Sequence, residues 1–85
     1  MRQDLIAKID GNHWVLLTQE STGNWNFLLW GRYPISESLG QISEHAAKER
    51  ALAAAIKHLQ ECGLQIAPRN VVDNPWKVAM RYIAA

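Results

Sequence analysis

Residues 23–31 read GNWNFLLWG, and this stretch decides the fold because it puts large apolar side chains on both faces of one strand. Successive side chains of a strand point to opposite faces. Trp25, Phe27 and Leu29 therefore share one face, which we expect to lie in a core. Leu28 and Trp30 share the other face, and the sequence must also account for what covers them.

Two segments upstream of this stretch also read as strands, over residues 4–9 and 13–19. The dipeptide Asp10-Gly11 between them is typical of a two-residue hairpin turn, whose central residues need positive φ. With a third strand over residues 24–31, the three form an antiparallel meander. Pro34 follows; it excludes a central strand in the next segment but allows a short edge strand there.

A long helix is predicted over residues 43–62. Ser43 is a good N-cap, and Gly63 suits the left-handed position that follows a helix. Apolar residues recur at helical spacing and predict a buried stripe of Leu52, Ala55, Ile56 and Leu59.

A second, short helix is predicted over residues 75–84. Asn74-Pro75 fits an N-cap followed by the first helical position, and Trp76, Met80 and Ile83 recur at helical spacing. The predicted fold is a single α+β domain over residues 1–85. It consists of the three-stranded meander, the long helix on one face of it and the short C-terminal helix.

The turns also predict how the strands pair. If Asp10-Gly11 is the hairpin loop, Leu5 lies opposite Leu16 and Ala7 opposite Trp14. The core face is then Leu5, Ala7, Ile9, Trp14, Leu16, Trp25, Phe27 and Leu29. The second face is then Ile6, Val15, Leu17, Leu28 and Trp30.

Three candidates can cover the second face: the C-terminal helix, a second copy of the chain, or a ligand. The helix would do so by packing Trp76 and Met80 on Leu28 and Trp30. Five apolar side chains would otherwise expose about 400 Å², a patch size that is often functional. The candidate interface therefore comprises Ile6, Val15, Leu17, Leu28, Trp30, Trp76 and Met80.

The composition is that of an ordinary globular chain, with 48% hydrophobic and 20% charged residues in 85. A net charge of +1 does not by itself predict a polyanionic partner. Cys62 is the only cysteine, so no internal disulfide can form and a cytoplasmic location is expected. The sequence has no apolar run long enough to suggest a membrane span.

Few residues are candidates for catalysis or for binding a metal or a phosphate group. His58 and Cys62 stand four apart on the long helix, but a zinc site needs three or four protein ligands. Cys62 lies at the predicted helix C-terminus, where the helix dipole disfavours a thiolate. No glycine-rich loop opens a helix after a strand. We therefore expect a protein that is not an enzyme and that holds no metal or cofactor.

Nucleic-acid binding is the alternative. Through ESLGQISEHAAKERALAAA, the layout of three strands and a helix resembles the arm-binding domains of tyrosine recombinases and the plant AP2-type domains. The segment HAAKERALAAAIKHL resembles the last helix of double-stranded RNA-binding domains. Those resemblances imply contacts by basic residues, but here Lys8 and Arg32 are nearly alone on the strands. Candidate phosphate contacts lie instead in the C-terminal segment: Arg69, Lys77 and Arg81.

The function expected from the sequence is that of a small binding or regulatory module that acts through a protein interface. A homodimer or another protein partner would cover the second face. The alternative is a nucleic-acid-binding accessory protein that uses the basic C-terminal segment.

Overall fold

The computed structural model describes residues 4–66 and 76–78, which form an α+β fold with one long helix packed on an antiparallel sheet. The elements are β1 (Leu5–Asp10), β2 (His13–Gln19), β3 (Trp25–Trp30), β4 (Ile35–Gly40), α1 (Glu44–Glu61) and β5 (Lys77–Val78). The sheet order is β4-β3-β2-β1-β5, and every neighbouring pair is antiparallel. The antiparallel sheet and the long helix are confirmed.

The sheet is wider than the predicted three strands. β4 begins one residue after Pro34 and forms an edge of the sheet, the position that proline allows. At the other edge β5 pairs with β1, where Lys77 lies opposite Ile6. The predicted helix over residues 75–84 is wrong for Lys77 and Val78, because the backbone groups of the β1 edge give them a strand partner. The remainder of that prediction lies outside the described residues.

The predicted pairing of β1 with β2 is wrong by one residue. Leu5 lies opposite Leu17 and Ala7 opposite Val15. Because side chains alternate, this shift exchanges the two faces of β2. Val15 and Leu17 are fully buried in the core, and Trp14 and Leu16 lie on the second face.

The cause of the shift lies in the first hairpin. The Asp10 carboxylate accepts a hydrogen bond from the backbone N–H of Asn12 at 2.7 Å. This local bond places Asp10 at the end of β1 opposite His13, with an irregularity between Lys8 and Asp10. The loop is therefore Gly11-Asn12 and not Asp10-Gly11.

The second hairpin shifts in the same sense. Gln19 lies opposite Trp25 and Leu17 opposite Phe27, so Leu17 takes the core position that the prediction gave to Leu16. The loop that joins β2 to β3 closes with two backbone hydrogen bonds, one from Glu20 to Asn24 at 2.8 Å and one from Gly23 to Glu20 at 2.9 Å. The two shifts therefore move β2 alone and leave Phe27 and Leu29 on the predicted core face.

The core lies between the sheet and α1. Its fully buried large side chains are Val15, Leu17, Phe27, Leu29 and Leu59. From the helix, three alanines together with Ile56 and Leu59 are buried, whereas Leu52 is only partly buried. Small side chains let the helix approach the sheet closely, so the buried stripe follows Ala47, Ala51 and Ala55 and leaves Leu52 at its margin.

Both ends of α1 are capped as the sequence predicts. The Ser43 hydroxyl accepts a hydrogen bond from the backbone N–H of Ala46 at 3.1 Å. Gly63 has a φ of +93°, and the N–H groups of Gly63 and Leu64 each donate to the last helical turn at 3.0 Å. This is the Schellman arrangement. The Trp25 indole donates to the Ile42 carbonyl at 2.9 Å and ties the sheet to the start of the helix.

Candidate functional site

The candidate site is the sheet face that points away from α1, which we call the outer face. Cross-strand pairing orders its side chains into three rows that run across the strands. The aromatic row is Lys8, Trp14 and Trp30; the middle row is Ile6, Leu16, Leu28 and Ser36; the polar row is Thr18, Asn26 and Ser38.

The aromatic row carries the most prominent side chain of this face. Trp30 is 38% exposed, and no other large hydrophobic side chain among the described residues is classed as exposed. It lies opposite the partly buried Trp14, and the Lys8 ammonium is 5.4 Å from the centre of a Trp14 ring. Such a distance permits a cation–π interaction. Among the described residues, nothing shields Trp30 fully from water.

At the other end of the face, the polar row borders a shallow groove of about 430 Å³. Leu16 and Leu28 contribute its apolar part. Thr18, Asn26, Ser36 and Ser38 line the rest, and Phe27 and Glu37, between them in β3 and β4, border it. The Asn24 amide fixes this polar end by donating to Asn26 at 3.2 Å and to Ser38 at 3.0 Å.

Charged residues lie at the margin of the outer face near β1. Lys8 is exposed, and Asp4 precedes β1 at the position that alternation assigns to the same face. Lys77 is exposed and extends the middle row beyond Ile6. The centre of the face carries no charge, so its composition resembles an interface core with a polar rim.

The predicted interface residues divide between the two faces. Leu28 and Trp30 lie on the outer face, as does Ile6, although Ile6 is only 3% exposed. Val15 and Leu17 lie in the core, as a consequence of the shifted register. Trp76 is wrong as a cover for Leu28 and Trp30, because it belongs to the core cluster on the opposite side of the sheet.

Of the predicted phosphate contacts, Lys77 is the one within the described residues. Arg69 and Arg81 lie outside them, as does the predicted interface residue Met80. Sequence reasoning missed Trp14, Leu16 and the groove. The signal that could have found the two β2 residues is Asp10, whose side chain favours capping a turn from its first position.

A buried histidine, His13, lies next to the loop of the first hairpin. The His13 side chain is 3% exposed, and its Nδ1 lies 2.9 Å from the Asp10 carboxylate. Its Nε2 has no hydrogen-bond partner among the described residues. Gly31 packs against the ring so closely that a Cβ there would overlap His13 and the Asn12 carbonyl. We read this arrangement as the closure of the core at that end.

The Asp10 carboxyl has an altered pKa. Partial burial alone would raise the pKa, but the Asn12 backbone N–H and the His13 ring stabilise the carboxylate more strongly. The net result is a pKa below the ordinary carboxyl value. The hairpin is therefore built around the ionised form of Asp10.

His58 and Cys62, the residues considered for metal binding, lie close together but form no larger cluster of possible ligands within the described residues. The Cys62 sulfur lies 3.8 Å from the His58 ring, and the described residues contain no group of three His, Cys, Asp or Glu side chains that could hold a metal. No helix in the described ranges is long and apolar enough to cross a membrane. Comparison of the chain with protein-family models, curated proteins and solved structures gives no match.

Proposed function

We propose that this protein is a small, non-enzymatic binding module that acts through a protein interface on its outer face. The observation that carries the proposal is the exposure of Trp30 on a face whose centre is apolar and uncharged. Tryptophan is among the residues that contribute most to protein interfaces, since its large ring gains much when water is removed from it.

The surroundings of Trp30 support an interface more than a solvated surface. Trp14, Leu16 and Leu28 lie beside it and are all partly exposed. Isolated apolar residues are ordinary on protein surfaces, but a contiguous patch marks a surface that meets something. The charged side chains at the margin and the hydroxyl and amide groups of the polar row form the rim that such interfaces have.

Nucleic-acid binding is the second candidate, and one feature favours it. Lys8 and Lys77 both lie on the β1 side of the outer face, and the Lys8 ammonium lies over the Trp14 ring. Aromatic rings beside basic side chains form the surfaces on which single-stranded nucleic acids stack. Salt separates the two candidates, because phosphate contacts make the logarithm of the affinity fall steeply with the logarithm of the salt concentration.

Site-specific photo-crosslinking tests the proposal. A benzophenone amino acid at position 30 should crosslink to protein in cells that make the chain. The same group at position 53, an exposed alanine of α1, is the matched control and should give few crosslinks. Leu28→Asp places a charge in the centre of the face and should remove the products from position 30. Equal yields from both positions would refute the proposal, and crosslinks to nucleic acid would favour the second candidate.

A further inference from the structure

We infer that the partner is a second copy of this chain, related by a two-fold axis that runs across the strands along the middle row. The inference rests on the proposed function and specifies its partner. Under this operation the outer faces meet, and the strands of the two copies run in opposite directions. Packed sheets keep their strands aligned to within about 30°, so the arrangement is an ordinary sheet-on-sheet contact.

The first support is the charge pattern of β1. Asp4 and Lys8 lie two residues before and two residues after Ile6, on the same face. A two-fold axis at Ile6 therefore brings Lys8 of each copy to Asp4 of the other. Such a contact is isologous, in that each residue pair occurs twice. A strand that carried two like charges at these positions would repel its copy.

The second support is an exposed side chain and a recess on opposite sides of the axis. In β3, Trp30 lies two residues after Leu28, and Asn26 lies two residues before it. At about 3.3 Å per residue, each is about 7 Å from the middle row. The groove spans the middle and polar rows of β2, β3 and β4, on the Asn26 side of Leu28. The two-fold operation thus places Trp30 of each copy over the groove of the other.

The chemistry of the groove suits an indole. Leu16 and Leu28 offer an apolar surface to the ring. The hydroxyl groups of Thr18 and Ser36 can accept a hydrogen bond from the indole N–H, which would otherwise lose its water partner on burial. In the described part of one copy, both the Trp30 side chain and the groove are open to solvent.

Lys77 extends the middle row, so the two-fold axis would bring it near Lys77 of the other copy. It is exposed on the two-residue edge strand β5, so its ammonium can turn into water while its stem covers the rim. Four strands about 4.8 Å apart and six residues long give a footprint of at most about 400 Å² on each copy, to which the buried Ile6 adds almost nothing. That is half of the standard interface, so the dimer is a weak one that depends on concentration.

Charge reversal tests the two-fold arrangement. Asp4→Lys alone should bring two lysines together at each end of the interface, and Lys8→Asp alone should bring two aspartates together. Each variant should associate roughly tenfold more weakly than the unaltered chain. An equimolar mixture of the two should recover association, because every contact then joins opposite charges. Lys57→Asp, on the exposed side of α1, is the control and should leave association unchanged.

The measurement is sedimentation equilibrium at low salt from about 10 µM to about 1 mM, the range in which weak interfaces assemble. Circular dichroism of each variant should first show an unaltered fold. A monomeric mass for the unaltered chain throughout would overturn the inference, and so would a mixture that associates no better than its components. The crosslink from position 30 separates the two proposals. A product of twice the chain mass supports both the protein interface and the second copy as its partner. A product with another protein supports the interface but contradicts the second copy, and the absence of any product contradicts both proposals.

Discussion

The two faces of this sheet are both apolar, yet only one of them is the core. Leu29 on the core face is fully buried, whereas its neighbour Leu28 on the outer face is partly exposed. Their chemistry is the same, and the difference is that α1 packs on one face only. The composition of a strand therefore shows that both faces avoid water, and the placement of the helix decides which face is covered within the chain.

The largest expected effect comes from exchanging a leucine for a charge on each face of β2. Leu17→Asp should leave no stable folded state, because an unpaired carboxylate in the core costs several kcal/mol of a total stability of about 5–15 kcal/mol. Leu16→Asp, one residue away on the outer face, should cost only about 1 kcal/mol, since its side chain already meets water. Urea unfolding followed by circular dichroism measures both. Equal losses would mean that the two faces of β2 are assigned wrongly.

The same strand shows which parts of the fold can be predicted from sequence. The ends of α1 are predictable because Ser43 and Gly63 act on backbone groups within a few residues of themselves. The face of β2 is not, because it depends on whether Asp10 belongs to the loop or to the strand, and a single residue reverses the outcome. Local signals were sufficient where the structure is local.

The candidate site follows the same division. Leu28 and Trp30 could be placed on one face because alternation within a single strand requires only that β3 is a strand. Trp14 and Leu16 could not, because their face depends on pairing between strands. The strand at Lys77 was also out of reach, since residues 75–84 have a helical pattern and only the unpaired edge of β1 makes a strand there favourable.

The second largest effect is expected from shortening side chains of α1, the helix that covers the core face. Ile56→Ala should destabilise the protein by about 2–5 kcal/mol, the usual cost of truncating a buried aliphatic side chain. Leu52→Ala removes a side chain of the same size from the margin of the stripe, where partial exposure reduces the cost to about 1 kcal/mol. Thermal or urea unfolding compares them. A larger loss for Leu52→Ala would show that the helix is rotated from the position described.

The smallest effect lies where the core face ends, at His13 and its partner Asp10. Because the pKa of Asp10 is lower in the folded state, the unfolded chain binds more protons at acid pH, and stability must rise with pH there. The contribution of the carboxylate is complete above the ordinary carboxyl range and is lost as the pH falls through the lowered pKa. The side chain is 37% exposed, so water screens it and the effect is small.

Asp10→Asn isolates this contribution, since an asparagine can still accept the hydrogen bond from Asn12 but carries no charge. All other acidic groups are common to both proteins, so their effects cancel in the difference between the two urea midpoints. At neutral pH the unaltered protein should have the higher midpoint, and the difference should shrink as the pH is lowered from about 5 to about 2. A difference that stays constant over this range would show that the Asp10 charge does not hold the hairpin. The hydrogen bond from Asn12, which the asparagine keeps, would then be sufficient to set the register that places Val15 and Leu17 in the core.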